Sequence, residues 1–176
     1  VHFDGARFFN ATAALGVDAK ALARTGDTIS LCLSKGLGAP AGTLLLGPDV
    51  LMRKARRWRK MLGGGMRQVG VLAAAGLHAL KHNVDRLSDD HAHAAVLAAH
   101  LKELGAGDPA DPARCETNMV FFTPAQSERA AIMAFMSERG ILLGGQSPTM
   151  RIVFHKDIDA SKLDRICVAF TDFYRR

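Results

Sequence analysis

Apolar residues in this chain fall into short alternating runs at both ends and longer helical patterns between them. Residues 1–3 (VHF) predict the end of a buried strand. Residues 6–15 (ARFFNATAAL) predict an Ala-rich helix stopped by Gly16, and 18–24 a second short helix. The run 28–34 (TISLCLS) is β-rich and of strand length. A Gly/Pro loop follows from Lys35 to Pro40, and then a short strand at 42–46 (GTLLL). A helix is predicted from Pro48 and Asp49 to about residue 62, broken by Gly63, Gly64 and Gly65. Helix resumes over 66–81; its stretch 69–80 holds no charge, so burial on most sides is expected. Apolar positions 84, 87, 94, 97, 98, 101 and 104 predict an amphipathic helix, followed by a loop and hinge at 105–114. The remainder alternates as strand 118–123, helix 125–139, strand 150–155 and helix 160–174, the pattern of a small α/β sandwich.

Composition changes this picture in one place. Of 176 residues, 23 are Lys or Arg and 17 Asp or Glu, a net charge of +6. Arg53, Lys54, Arg56, Arg57, Arg59 and Lys60 account for the whole excess. The chain is an ordinary globular sequence with one basic segment; at 48% hydrophobic it has ample material for a core. The charge-free run 36–48 is interrupted by Gly and Pro and falls short of the ~18 apolar residues a membrane helix needs. No signal-peptide pattern is visible. Cys32, Cys115 and Cys167 are scattered and form no CxxC pair, which argues against a disulfide framework or thiolate zinc site and for a reducing cytoplasm. The chain opens directly in strand-like residues without Met, and is expected to be cut from a larger domain.

Four groups of residues could carry chemistry. Lys35 follows an apolar strand, at the end where open α/β sheets place their ligand crevices. Partial burial there would suit a Schiff-base amine. The competing reading is a surface lysine opening a loop. Asp4 also sits at a strand's carboxyl end, with Arg7 close by; a carboxylate can pair with a cationic ring nitrogen, and an arginine can clamp a carboxylate. Alternatively Asp4 caps the helix that follows. The basic stretch around Trp58 puts positions 53, 56, 57 and 60 on one helical face. A solvated face or an intersubunit anion site explains it better than nucleic acid. His78 and His82, four apart on a helix, lack a matching third ligand, so no metal is predicted. Asp89, Asp90, His91 and His93 are read as a polar helix face.

The order of these segments is more specific than any one of them. HFDGARFFNATAALG, SLCLSKGLGAPAGTLLLG, ARRWRKMLGGGMRQ, DRLSDDHAHAAVLA and MRIVFHKDID together resemble the low-specificity L-threonine aldolases. That family belongs to the aspartate-aminotransferase-like (fold type I) pyridoxal-phosphate enzymes. The resemblance covers essentially the whole chain and is strongest from His2 to Gln68. It implies an α/β fold in two parts: residues 1–82 as the C-terminal part of the cofactor-binding large domain, and 83–176 as a small C-terminal α/β domain.

The resemblance also implies roles. Lys35 matches the lysine that forms an aldimine with pyridoxal 5'-phosphate, and Asp4 the aspartate that keeps the pyridine nitrogen protonated. Arg7 and Arg151 match arginines that bind the substrate carboxylate. Lys60 and Arg67 match a Lys and Arg near the cofactor pocket, reaching the phosphate or a neighbouring subunit's site. The implied reaction is retro-aldol cleavage of L-threonine, L-allo-threonine and related β-hydroxy-α-amino acids to glycine and an aldehyde. The implied assembly is a homo-oligomer, a tetramer with shared active sites, in the cytoplasm and without nucleic acid or membrane. In this family Asp4 lies past the middle of the protein, so the phosphate cup and ring-stacking histidine would lie upstream of Val1. The 176 residues alone are then expected to bind the cofactor poorly. Alternatives are a sibling lyase of the same fold, such as a phenylserine aldolase or β-eliminating lyase, and a truncated oligomerisation or basic binding module.

Overall fold

A computed structural model describes residues 1–144 and 147–175. The chain divides into two compact units, Val1–Ser88 and Asp89–Arg176. The junction lies six residues beyond position 82, where the sequence reading divides the chain.

In the first unit, strand β1 (His2–Gly5) pairs in parallel with β2 (Thr28–Cys32), and β2 pairs antiparallel with β3 (Thr43–Leu46). The parallel pair is joined by helices α1 (Phe8–Leu15) and α2 (Ala19–Ala23). Gly16 ends α1 in the left-handed conformation at φ 63°, which a residue without Cβ adopts freely. Asp18 caps α2, its carboxylate accepting from the N–H groups of Lys20 and Ala21.

Strand alternation sorts β2 into two faces. Ile29, Leu31 and then Leu33 are buried with Phe8, Leu37, Ala39, Ala79 and Leu87. Thr28, Ser30 and Cys32 face the other way and are half-buried. The sheet is therefore covered on one face only. That corrects the expectation of a buried strand at the N-terminus: within β1, His2 and Asp4 are exposed, Phe3 is half-buried and Gly5 alone is buried.

Helix α3 (Asp49–Met61) has no buried residue, and its basic stretch lies on an exposed helix. Helix α4 (Gly70–His82) departs from expectation twice. It starts at Gly70 rather than 66, because Gln68 sits at φ 53° and breaks the helical path. It is also not buried on most sides. Only Gly76 and Ala79 are buried, while Val71 and Leu77 are 76% and 69% exposed. Absence of charge thus marked a helix with one narrow packed stripe, not a core helix. The rings of His78 and His82 lie 4.5 Å apart, and the described residues hold no group of three potential metal ligands.

Helix α5 (Leu87–Glu103) follows the predicted apolar spacing, with Ala94, Leu97, Ala98 and Leu101 buried in the second unit. The expected polar face at its start is corrected. Asp90 is fully buried, and His93 Nδ1 lies 3.1 Å from the Ile158 carbonyl with its ring edge-on to Phe154. Burial pushes the His91 pKa down, against the opposing charge of Asp90.

The second unit's sheet is antiparallel, β4 (Arg114–Glu116), β5 (Met119–Phe122) and β6 (Met150–Val153) in that order. The three-residue β4 is too short and polar to show in the apolar pattern. It reaches β5 through Thr117 at φ 59° and Asn118. Buried Asn118 joins the chain beyond β6 twice. Its Nδ2 donates to the Phe154 carbonyl at 2.7 Å, and its own carbonyl accepts from the Phe154 N–H at 2.9 Å. Helices α6 (Arg129–Glu138) and α7 (Ala160–Tyr174) contribute to the same core. Phe122 and Phe170 meet edge to face there at 5.7 Å. Phe122→Ala should therefore cost this unit about 3–5 kcal/mol. Denaturant unfolding followed by near-ultraviolet circular dichroism measures it, and a loss under about 1 kcal/mol would show that the cavity collapses.

Candidate functional site

The first unit places its chemistry at one edge of the sheet. Because β1 and β2 are parallel and in register Asp4↔Ser30, their carboxyl ends lie side by side. Asp4 is the last but one residue of β1, and Lys35 stands three residues beyond the end of β2. Alternation puts Asp4 on the open face together with Ser30 and Cys32. Asp4 Oδ1 accepts from the Ala6 N–H at 3.0 Å, a local turn that holds the carboxylate at the strand end. The helix-capping alternative does not hold, since Arg7 occupies the N-cap of α1 and no side chain caps it. Arg7 thereby stands at the strand-to-helix corner, three residues past Asp4.

Lys35 is exposed, which corrects the expectation of partial burial. Its turn is nonetheless tightly held. The Leu33 N–H donates to the Gly42 carbonyl at 2.9 Å, and the Gly38 N–H to the Lys35 carbonyl at 2.9 Å. The Ala39 N–H closes the loop on the Leu33 carbonyl at 3.0 Å. Leu33, Leu37 and Ala39 are buried beneath, while Ser34 and Lys35 point outward. Gly36 is closely packed: a Cβ there would come within 2.9 Å of Leu87 Cδ2 and 3.2 Å of Asn10 Oδ1, and those side chains would have to give way. Asn83 Nδ2, at the end of α4, donates to the Leu37 carbonyl at 2.7 Å.

The remaining predicted residues are more dispersed. Lys60 lies near the end of α3, and its side chain covers Gly65, where a Cβ would sit 2.7 Å from Lys60 Cδ. Arg67 follows in the turn before α4, exposed. Arg151 belongs to the second unit, on β6 opposite Phe121 of β5. It is exposed and lines a groove of about 410 Å³ with Leu142, Leu143, His155 and Lys162. Arg114 stacks on the same Phe121, 5.0 Å above the ring centre.

The sequence reading gave no role at the Lys35 turn to Cys32 or to Asn83. Ser34 Oγ lies 3.5 Å from Cys32 Sγ. Burial raises the Cys32 thiol, but hydrogen bonds with the Ser34 hydroxyl and backbone, the charge of Lys35 and a hydrogen bond with Thr43 together outweigh it and hold the thiol below its ordinary pKa. Asn83 reads in sequence as a helix C-terminus; nothing local announces a contact 46 residues away.

The chain has an aspartate-aminotransferase-like (fold type I) α/β fold, the fold of the solved structures it resembles. Residues 1–127 match the beta-eliminating lyase family model. The chain belongs to that family. Over all 176 of its residues it is 45% identical to the low specificity L-threonine aldolase of Escherichia coli O157:H7. It is 44% identical over 165 residues to low-specificity L-threonine aldolase 1 of Arabidopsis thaliana, covering 92% of this chain and 46% of that protein. Among solved structures, the Leishmania major threonine aldolase matches 98% of this chain and 51% of its own, with TM-score 0.73 and 18% identity. The chain spans about half the length of the curated relatives it matches, 51% of the Escherichia coli protein. No helix among the described residues is long and apolar enough to cross a membrane.

The dependence of Cys32 on its neighbours is open to measurement. Ser34→Ala should move the pH midpoint of Cys32 alkylation upward, because the thiolate loses the hydrogen bond of the Ser34 hydroxyl while burial remains. Iodoacetamide labelling across pH, read at the Cys32 peptide by mass spectrometry, follows it; an unmoved midpoint would assign the effect elsewhere.

Proposed function

We propose that this chain supplies the lysine-bearing part of a pyridoxal-phosphate-dependent aldolase. It would cleave L-threonine, L-allo-threonine and related β-hydroxy-α-amino acids to glycine and an aldehyde. What supports the reading is Asp4 near the carboxyl end of β1 and Lys35 three residues beyond the carboxyl end of the parallel β2, in a chain 45% identical to a threonine aldolase. The donor set fits the cofactor: a primary amine on a braced turn, a carboxylate on the open sheet face, and arginines for anions.

Each residue then has a task that its chemistry suits. Lys35 presents the amine that carries the cofactor between turnovers. Asp4, one oxygen held by the Ala6 N–H, uses the other to keep a proton on the ring nitrogen. Arg7 and Arg151 clamp the substrate carboxylate, and their planar forks set which Cα bond is aligned for cleavage. Lys60 and Arg67 offer positive charge to the cofactor phosphate or a neighbouring subunit. The cofactor, when bound, supplies the electron sink for the pair left by Cα–Cβ cleavage.

In this reading Val1–Ser88 is the C-terminal part of the cofactor-binding domain and Asp89–Arg176 the small domain. The protein works as a homo-oligomer, a tetramer with shared sites, in a reducing cytoplasm. Three free cysteines support the compartment. Exposed Trp58, Met61 and Leu62 on and beside α3 support an assembly. The basic stretch 53–60 then serves an anion or a subunit contact rather than nucleic acid.

The test uses protein expressed from its complete gene. Added pyridoxal phosphate should produce a visible absorbance band that Lys35→Ala abolishes. L-Threonine should yield glycine and acetaldehyde; ammonia with a 2-keto acid would instead identify a β-eliminating sibling. Arg7→Ala and Arg151→Ala should each cost about 1.5–3 kcal/mol in kcat/KM, the worth of a hydrogen bond to a charged group.

A further inference from the structure

Lys35 is exposed, yet the residues two before and two after it are anchored to one helix. Leu33 Cδ1 packs on α4 at Gly76, where a Cβ would approach it to 2.9 Å. Leu37 offers its carbonyl to Asn83 Nδ2 at 2.7 Å, from the other end of the same helix. Gly76 and Asn83 are seven residues apart, two turns on one helical stripe. Between the two anchors, Gly36 is seated against Leu87 and Asn10, whose side chains would have to shift for a methyl group to fit.

We propose that Asn83 is a positioning residue for Lys35: its hydrogen bond to the Leu37 carbonyl fixes the turn from which the lysine amine reaches the cofactor. This rests on the reading of Lys35 as the cofactor's lysine. Leu37 is buried, so without Asn83 its carbonyl would stand unsatisfied or the turn would shift to find another donor. A shift of the turn moves Lys35 directly, because the lysine carbonyl is bonded to the Gly38 N–H within it. The bond also spans 46 residues and ties α4 to the reactive loop.

Three variants of the complete protein test this. Asn83→Ala removes the donor, and Asn83→Asp keeps the shape while placing an acceptor against a carbonyl. Asn118→Ala is the control. It deletes an equivalent amide-to-carbonyl bond of 2.7 Å to Phe154 in the other unit. Both Asn83 variants should move the pH midpoint of the bound cofactor's visible band. They should also lower kcat about tenfold to a hundredfold with little change in KM, the size expected for a small misplacement of a reacting group. Asn118→Ala should lower the melting temperature without moving the band.

An unmoved band and kcat in Asn83→Ala overturn the proposal, as does an equal displacement in Asn118→Ala. If Asn83→Ala does not fold, Asn83→Asp decides by the same criteria. A wild-type protein without a band, or a band that survives Lys35→Ala, overturns the functional reading and this one with it. A wild-type band lost in Lys35→Ala but indifferent to Asn83 overturns this one alone.

Discussion

Everything at the candidate site depends on the parallel pairing of β1 with β2. Two parallel strands end at the same edge, so Asp4, near the end of β1, and the turn bearing Lys35, which follows β2, both leave the sheet at that edge. An antiparallel pair would have sent them to opposite edges. Parallel pairing needs a crossover, and the short helices α1 and α2 provide it. Open α/β sheets place ligands at such carboxyl ends because the loops there are free to carry chemistry while the strands stay rigid. β3 joins antiparallel and extends the sheet beyond Lys35's strand without disturbing that edge.

The Lys35 turn shows how an exposed side chain can sit on a backbone braced by hydrogen bonds and buried neighbours. Leu33, Leu37 and Ala39 sink into the core of the first unit; the loop's backbone hydrogen bonds close within the same short segment or onto Gly42, and Asn83 adds one from the end of α4. Burial of alternate residues leaves Ser34 and Lys35 outward with little freedom in the chain beneath them. Helix α4 is the abutment. Its narrow packed stripe of Gly76 and Ala79 is what brings it close, since larger residues would hold it away. The same narrowness leaves Val71 and Leu77 exposed on its flanks.

The second unit solves a simpler problem. Its antiparallel sheet buries Val120, Phe122 and Met150 on one face and leaves Phe121 and Arg151 on the other. An arginine can occupy a strand there because alternation turns it away from the core. The paired bonds of Asn118 with Phe154 lock the hairpin turn to the end of β6, so Arg151 is carried by a strand fixed at both sides of its register.

Most helices and strands were legible in the sequence because their periodicities are local: the apolar spacing of α5, the β-rich run of β2, the Gly stops of α1 and α3. That Asp4, Arg7 and Lys35 stand at element ends was legible for the same reason, each lying beside a recognisable strand end or glycine. What failed were inferences about surroundings. A charge-free stretch in α4 implied burial that the fold does not supply, the acidic start of α5 hid a fully buried Asp90, and Lys35 proved exposed. Nor could spacing reveal that Asn83 reaches Leu37, or that Gly36 is hemmed in by Leu87 and Asn10. The sequence by itself determined which residue types stand at which element ends. Only the tertiary structure decided which of them are covered and which meet, because burial and long-range hydrogen bonds depend on how the elements pack and not on the pattern within any one of them.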